Sequence, residues 1–147
     1  MKILPISLAV FSAALAFAAT SALTSDSDSM EFWVEGDVIV AEGTIDGSTL
    51  RRFQKLAGGN PSVKTLVLGY VGGSSDDVAN LKLSQKVRNS GFTTVVPSDG
   101  MVASGGTDLF LAGVERILKD GACVGVHSWS TGRYEGKDFP RSDPEHQ

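Results

Sequence analysis

The chain is poor in the residues that cross-link a protein or bind a metal. Cys123 is the only cysteine, so no internal disulfide can form and stability must come from packing, unless the thiol pairs between two chains. Because Cys123 lies in the apolar run 122–126, we expect a buried thiol on an interior strand. Two histidines and one cysteine give no recognisable ligand spacing, so neither a metal nor another cofactor is expected.

Positive charge is also scarce, and it is scattered along the chain. No basic cluster is longer than Arg51-Arg52, and the formal net charge is −4. Nucleic acid is therefore not an expected partner, because binding to phosphates requires a concentrated positive patch. The length of 147 residues and the 41% hydrophobic content fit one globular domain that buries a core.

The N-terminus has the pattern of a secretory leader. Lys2 precedes an apolar run over residues 3–18, which small residues follow. This predicts a signal peptide over residues 1–22, cleaved after Ala18 or after Ala22, and an exported protein in the periplasm or outside the cell. An uncleaved anchor is the alternative, but the run is shorter than the roughly 20 residues of a membrane span. After cleavage we expect no stable membrane span, and loss of Lys2 makes the mature chain one unit more negative.

Behind the leader, residues 23–29 form a polar spacer and residues 30–129 alternate between strand and helix patterns. Ser48 and Ser75 stand where they can cap the first two helices. The alternation predicts one α/β domain, with helices packed on a largely parallel sheet and no internal repeat. The predicted strands cover residues 32–34, 38–41, 63–68, 92–96, 115–118 and 122–127, and the longer predicted helices cover 48–57 and 78–89. Gly36-Asp37 suits a hairpin turn between the first two strands.

Residues 130–147 form a polar tail without apolar periodicity. Either the tail docks on a partner, or it is the start of a truncated C-terminal part. The second interpretation is favoured, because compact domains rarely end in a long segment without secondary structure.

Ser104 is the candidate nucleophile. It lies among small residues at the start of a short apolar helix, where backbone N–H groups without helical partners can hold the oxyanion that forms when a serine attacks a carbonyl. The alternative is a serine that only caps this helix. The candidate base is His127, at the end of a predicted strand, since His146 lies in the polar tail. The turn at Gly72-Gly73 ends another strand and allows close approach of a substrate oxygen.

These features together resemble the Clp protease proteolytic subunit and, more broadly, the Clp/crotonase superfamily, over residues 38–129. The matching motifs are Gly72-Gly73 before a helix, the run from Gly100 to Gly113 around Ser104, and His127 after its strand. The subgroup that the chain looks most like is a set of exported Clp-like proteins. The resemblance implies stacked strand-turn-helix units around the sheet and an exported serine hydrolase, most simply a peptidase. Its expected partners are a peptide or other acyl substrate and, in a homo-oligomer, further copies of the chain.

The resemblance also implies the role of each site residue. Ser104 would be the nucleophile, His127 the base, and the amides of Gly72 and Gly105 the oxyanion hole. The chain departs from the Clp pattern at Val71, where a proline is usual, and at Ser128-Trp129, which replaces Gln-Pro. In Clp proteases the aspartate that orients the histidine comes from a later helix, so the resemblance gives it no position here.

Other assignments remain open from the sequence alone. Asp138 and Asp143 are local candidates for the orienting carboxylate, and Lys119 or Lys137 would be the base of a Ser-Lys dyad. Crotonase-like chemistry on acyl-coenzyme A needs no Ser-His pair, but export argues against a cytoplasmic cofactor. In a non-catalytic binding or assembly module, Ser104 would be a cap and His127 structural.

Overall fold

The computed structural model describes residues 29–128 and 133–142. The predicted signal peptide, nearly all of the spacer and parts of the polar tail lie outside these residues. The described part is an α/β domain whose strands are β1 (Glu31–Glu35), β2 (Val38–Glu42), β3 (Thr65–Leu68), β4 (Tyr70–Val71), β5 (Thr93–Val96), β6 (Met101–Ala103), β7 (Arg116–Leu118) and β8 (Cys123–Gly125). Its helices are α1 (Thr49–Gly59), α2 (Asp77–Asn89) and α3 (Gly105–Leu111), and a 3₁₀ turn covers Gly136–Asp138.

Two sheets organise the domain. The larger has the order β1-β2-β3-β5-β7, and every pairing except that of β1 with β2 is parallel. The smaller has the parallel order β4-β6-β8. From β3 onward, each successive unit places one strand in each sheet, and α2 and α3 follow the first two units. The prediction of an α/β domain with a mostly parallel sheet is therefore confirmed, and so is the hairpin of β1 and β2.

The core is built on an aromatic cluster. The Phe53 side chain of α1 is fully buried, and its ring centroid lies 5.6 Å from that of Phe32 and 5.3 Å from that of Phe92. Leu66 and Leu68 of β3 point into the same core, as the two-residue period of a strand requires. Burying each such side chain contributes roughly 1.5–3 kcal/mol. The cluster therefore joins α1 to the larger sheet.

The prediction of a buried thiol is wrong. Cys123 is exposed on β8, which is an edge strand that pairs only with β6 among the described residues. Its neighbour Val124 is also 38% exposed. An apolar run of this length does not distinguish a strand covered on both faces from an edge strand, because both have the same composition.

The helix caps differ from those predicted. Ser48 stands at the N-cap of α1, but its side chain makes no capping hydrogen bond. Instead, a carboxylate oxygen of Asp46 accepts hydrogen bonds from the Ser48 amide at 2.7 Å and from the hydroxyls of Ser48 and Thr49. In α2 the cap is Asp76, which accepts from the Ala79 amide at 2.9 Å, rather than Ser75. A carboxylate is the stronger acceptor at both helix starts.

Removing the Asp46 carboxylate is expected to make the free energy of unfolding change less with pH in the acid range. Hydrogen bonds from the hydroxyls of Ser29 and Ser48 hold the pKa of Asp46 well below its usual range. In acid, the unfolded chain therefore takes up this proton before the folded one, and the stabilisation present at pH 7 declines as the pH falls below about 4. In urea unfolding, we expect Asp46→Asn to be less stable than wild type by roughly 1 kcal/mol at pH 7. The difference in free energy of unfolding between wild type and Asp46→Asn should be smaller at pH 3 than at pH 7.

The control for this measurement is Asp37→Asn, which removes an exposed carboxylate from the turn between β1 and β2. It should leave the pH dependence of unfolding as in wild type. A gap between wild type and Asp46→Asn that stays constant from pH 7 to pH 3 would contradict the assignment of Asp46.

Candidate active site

Three parallel strands bring the predicted site residues to one edge of the smaller sheet. Val71 of β4 pairs with Val102 of β6, and Val102 pairs with Val124 of β8. Because the strands are parallel and in register, their carboxyl ends lie side by side. The residues that follow these ends are Gly72, Ser104 and, two residues after β8, His127.

Ser104 has an unusual backbone conformation. It joins β6 to α3 with φ 50° and ψ −123°, and it is the only non-glycine with positive φ among the described residues. Such a conformation costs of the order of 1–3 kcal/mol and persists only where the surrounding structure imposes it. Although Ser104 stands at the N-cap of α3, its side chain makes no capping hydrogen bond. The interpretation of Ser104 as a helix cap therefore finds no support in the geometry.

Glycines on both sides of this turn allow close packing. A Cβ on Gly106 would collide with the carbonyl oxygen of Val71, and a Cβ on Gly105 would lie 2.7 Å from the Ser74 hydroxyl oxygen. A Cβ on Gly73 would lie 3.4 Å from the Cβ of Ser104. The first turn of α3 thus packs directly on the end of β4, and this contact holds Ser104 at the sheet edge.

Side-chain hydrogen bonds hold α3 against its neighbours. The buried Thr94 hydroxyl of β5 donates to the Phe110 carbonyl at 2.7 Å, near the C-terminal end of the helix. The Thr107 hydroxyl donates to the Gly125 carbonyl of β8 at 3.0 Å. This second bond connects the helix that follows Ser104 to the strand that precedes His127.

Ser104 and His127 face one open cleft of about 300 Å³. Ser104 is half-buried and His127 is exposed. The walls of the cleft are formed by Ser104, Thr107, Asp108, Gly125, Val126 and His127. No hydrogen bond joins Ser104 to His127 among the described residues.

The hydrogen bond of His127 favours one tautomer of its neutral ring. Nδ1 lies 2.7 Å from the carbonyl oxygen of Ser128. Since a carbonyl oxygen only accepts hydrogen bonds, Nδ1 carries the proton and Nε2 of the neutral ring keeps a lone pair. A general base needs that lone pair to take a proton from a hydroxyl.

The predicted oxyanion donors occupy different surroundings. Gly105 is the first residue of α3, so its N–H has no acceptor within the helix. Gly72 is exposed just beyond β4, and the neighbouring Gly73 makes the close approach to Ser104. Gly105 thus directly follows Ser104, and the Gly72-Gly73 turn lies at the same edge of the smaller sheet.

Three further sequence candidates that the structure describes, Asp138, Lys137 and Lys119, do not line the cleft. Asp138 accepts a hydrogen bond from the Glu135 amide at 2.8 Å within the 3₁₀ turn, and Lys137 pairs with the Glu135 carboxylate at 2.6 Å. Lys119 follows β7 and is exposed. Asp143 and His146 lie outside the described residues.

Asp108 is a cleft residue that sequence reasoning missed. One carboxylate oxygen accepts a hydrogen bond at 3.0 Å from the side-chain amide of Asn80, which is 2% exposed on α2. The other polar atom of the Asn80 side chain, Oδ1, is buried without a hydrogen-bond partner in the described structure. The spacing of Asp108, four residues after Ser104 at the start of a predicted helix, is the signal that could have placed it near Ser104.

Residues 29–128 and 133–142 contain neither a metal cluster nor a membrane span. No group of three or more histidine, cysteine, aspartate or glutamate side chains there is arranged to hold a metal ion. Nor does any helix of this part of the chain combine the length and apolar character that crossing a bilayer requires.

The comparisons with known proteins identify a similar fold. No family model matches the chain, and no curated protein matches it. A solved structure of the Pseudomonas aeruginosa protein PA4980 is similar, with a TM-score of 0.50 and 18% sequence identity. The similarity covers 81% of this chain and 62% of PA4980, so the chain spans less than two thirds of that protein's length. At this identity the likeness concerns the fold alone.

Proposed function

We propose that this protein is a serine hydrolase of the Clp type that cleaves an acyl bond, most simply that of a peptide. Ser104 is the nucleophile, His127 the base, and the amides of Gly72 and Gly105 form the oxyanion hole. The observation that carries the proposal is the strained backbone of Ser104, whose hydroxyl is not used as a helix cap and faces the same cleft as His127. Backbone strain of this kind concentrates at functional sites.

The proposed reaction has two steps. Ser104 Oγ bonds to the substrate carbonyl carbon while His127 Nε2 takes the hydroxyl proton, and the amides hold the negative oxygen. The acyl–nitrogen bond then breaks, and the amine leaves with the proton from the imidazolium. A water oxygen then bonds to the acyl carbon while His127 Nε2 takes a water proton. The ester bond between the acyl carbon and Ser104 Oγ breaks, the imidazolium returns the proton to Oγ, and the carboxylic acid leaves. In this scheme the Ser128 carbonyl keeps the proton on Nδ1, which is the task of the aspartate in a Ser-His-Asp triad.

The arrangement of the fold is compatible with the proposed superfamily. From β3 onward the units stack, and each one places a strand in both sheets. Crotonase-like enzymes share that plan but need no Ser-His pair, so the convergence of Ser104 and His127 on one cleft favours the Clp type. If residues 1–22 are a signal peptide, the protein acts outside the cytoplasm, either alone or as a homo-oligomer.

A fluorophosphonate probe tests the proposal, because only an activated serine reacts with it rapidly. We expect folded wild-type protein to be labelled once, and peptide mass spectrometry to place the adduct on Ser104. Protein unfolded in urea before addition of the probe is the control and should not react. If the folded protein stays unlabelled, the chain is better described as a binding or assembly module.

A further inference from the structure

We propose that Asp108 makes this site selective for acyl substrates that carry a positive charge beside the reacting carbonyl, such as a lysine or arginine side chain. The inference rests on the proposed hydrolase function and names its substrate class. It is carried by three features of Asp108, namely its place in the cleft, its hydrogen bond to a buried amide and its lack of an ion-pair partner among the described residues.

The place of Asp108 suits recognition of a substrate side chain. Asp108 and Ser104 line the same cleft, and four residues separate them along the chain. Asp108 lies in the first turn of α3, directly after the strand-to-helix turn that holds Ser104. A substrate whose carbonyl is at Ser104 can therefore extend its side chain along the same cleft toward Asp108.

One oxygen of the exposed Asp108 carboxylate is anchored by a hydrogen bond. The donor is the side-chain amide of Asn80, 3.0 Å from the carboxylate oxygen. Because Asn80 is almost fully buried, packing restricts the position of this amide. Asn80 Oδ1 is buried without a hydrogen-bond partner among the described residues, which lowers stability. The hydrogen bond from Asn80 Nδ2 to the Asp108 carboxylate offsets part of that loss. The second oxygen of Asp108 remains available to the cleft.

The charge of Asp108 is not neutralised by its surroundings. Among the described residues, no lysine or arginine lines the cleft and Asp108 takes part in no ion pair. The net charge of the whole chain is also negative. A cationic substrate is therefore attracted to the cleft and an anionic one repelled.

Matched esters measure this selectivity. The substrates are 4-nitrophenyl esters of N-acetyl-lysine, N-acetyl-norleucine and N-acetyl-glutamate, whose side chains are positive, neutral and negative. We expect wild-type kcat/KM to be about fivefold higher for the lysine ester than for the norleucine ester, which is the upper range for a partly exposed ion pair. Asp108→Asn should remove this preference, and Asp108→Lys should turn it toward the glutamate ester. Raising the salt concentration should narrow the wild-type preference.

The control variant is Asp37→Asn, which removes the same charge at the exposed turn between β1 and β2. It should keep the lysine preference of wild type. If Asp108→Asn instead slows all three esters equally, Asp108 supports catalysis and does not select substrates, and the inference is overturned. Ser104-dependent hydrolysis without any lysine preference in wild type would overturn it as well.

A binding measurement separates this inference from the proposed function. Calorimetry on Ser104→Ala compares N-acetyl-lysine methylamide with N-acetyl-norleucine methylamide. Tighter binding of the lysine compound, lost on adding Asp108→Asn, supports the cation site even if wild type hydrolyses no ester. Equal binding of the two compounds to Ser104→Ala contradicts the inference about Asp108. It does not contradict the hydrolase proposal, which fluorophosphonate labelling tests separately.

Discussion

Ser104→Ala is expected to abolish both hydrolysis and fluorophosphonate labelling. Without Oγ there is no atom to form the acyl-enzyme, and losing the nucleophile of such a pair costs at least about 10³ in turnover. The fold should persist, because the Ser104 side chain makes no capping hydrogen bond whose loss would weaken α3. Circular dichroism and urea unfolding should confirm this. Hydrolysis of peptides or esters by Ser104→Ala at the wild-type rate would contradict Ser104 as the nucleophile.

Ser104→Gly is the matched variant that tests the strain at the same position. It also lacks Oγ, so it should be as inactive as Ser104→Ala. Glycine, however, adopts φ 50° and ψ −123° without a Cβ penalty. We therefore expect Ser104→Gly to exceed Ser104→Ala in free energy of unfolding by about 1 kcal/mol. Equal stabilities would show that the backbone at residue 104 is not strained.

The elements that the sequence predicted well are those with long periodic patterns. The buried face of α2, formed by Ala79, Leu83 and Val87, follows from helical spacing alone. The smaller sheet was not predicted because β4 has two residues and β6 three, too few for alternation to be visible. Their pairing depends on the parallel stacking of successive units, which is a tertiary effect. Exposure of Cys123 has the same origin, since only the sheet order makes β8 an edge.

For the site, the sequence predicted which residues converge but not their conformations. Small residues and strand ends indicated Ser104 and His127, and both line the cleft. The positive φ of Ser104 was not predicted, because serine rarely adopts it and nothing local demands it. Asp108 was missed because an acidic residue early in a helix is expected anyway from its favourable interaction with the helix dipole. Its cleft position and its bond to Asn80 depend on how α2 packs against α3.

His127→Gly is expected to lower turnover almost as far as Ser104→Ala does. In the proposed mechanism the lone pair on His127 Nε2 takes the Ser104 proton. Loss of the imidazole should therefore lower turnover by about 10³ or more. Because His127 is exposed, the fold should be little affected. Glycine also leaves space in the open cleft for a free base. Added imidazole should therefore restore part of the ester hydrolysis, with a rate that rises with imidazole concentration, whereas a purely structural role of His127 would not give such rescue.

Cys123→Ala, on the strand that precedes His127, is the control for His127→Gly. The thiol is exposed and is not among the residues that line the cleft, so its removal should leave turnover and labelling at the wild-type level. If Cys123→Ala alone abolished turnover, the thiol and not Ser104 would be the nucleophile. If His127→Gly kept wild-type turnover, a base other than His127 would have to activate Ser104, since a neutral serine hydroxyl is a weak nucleophile without one.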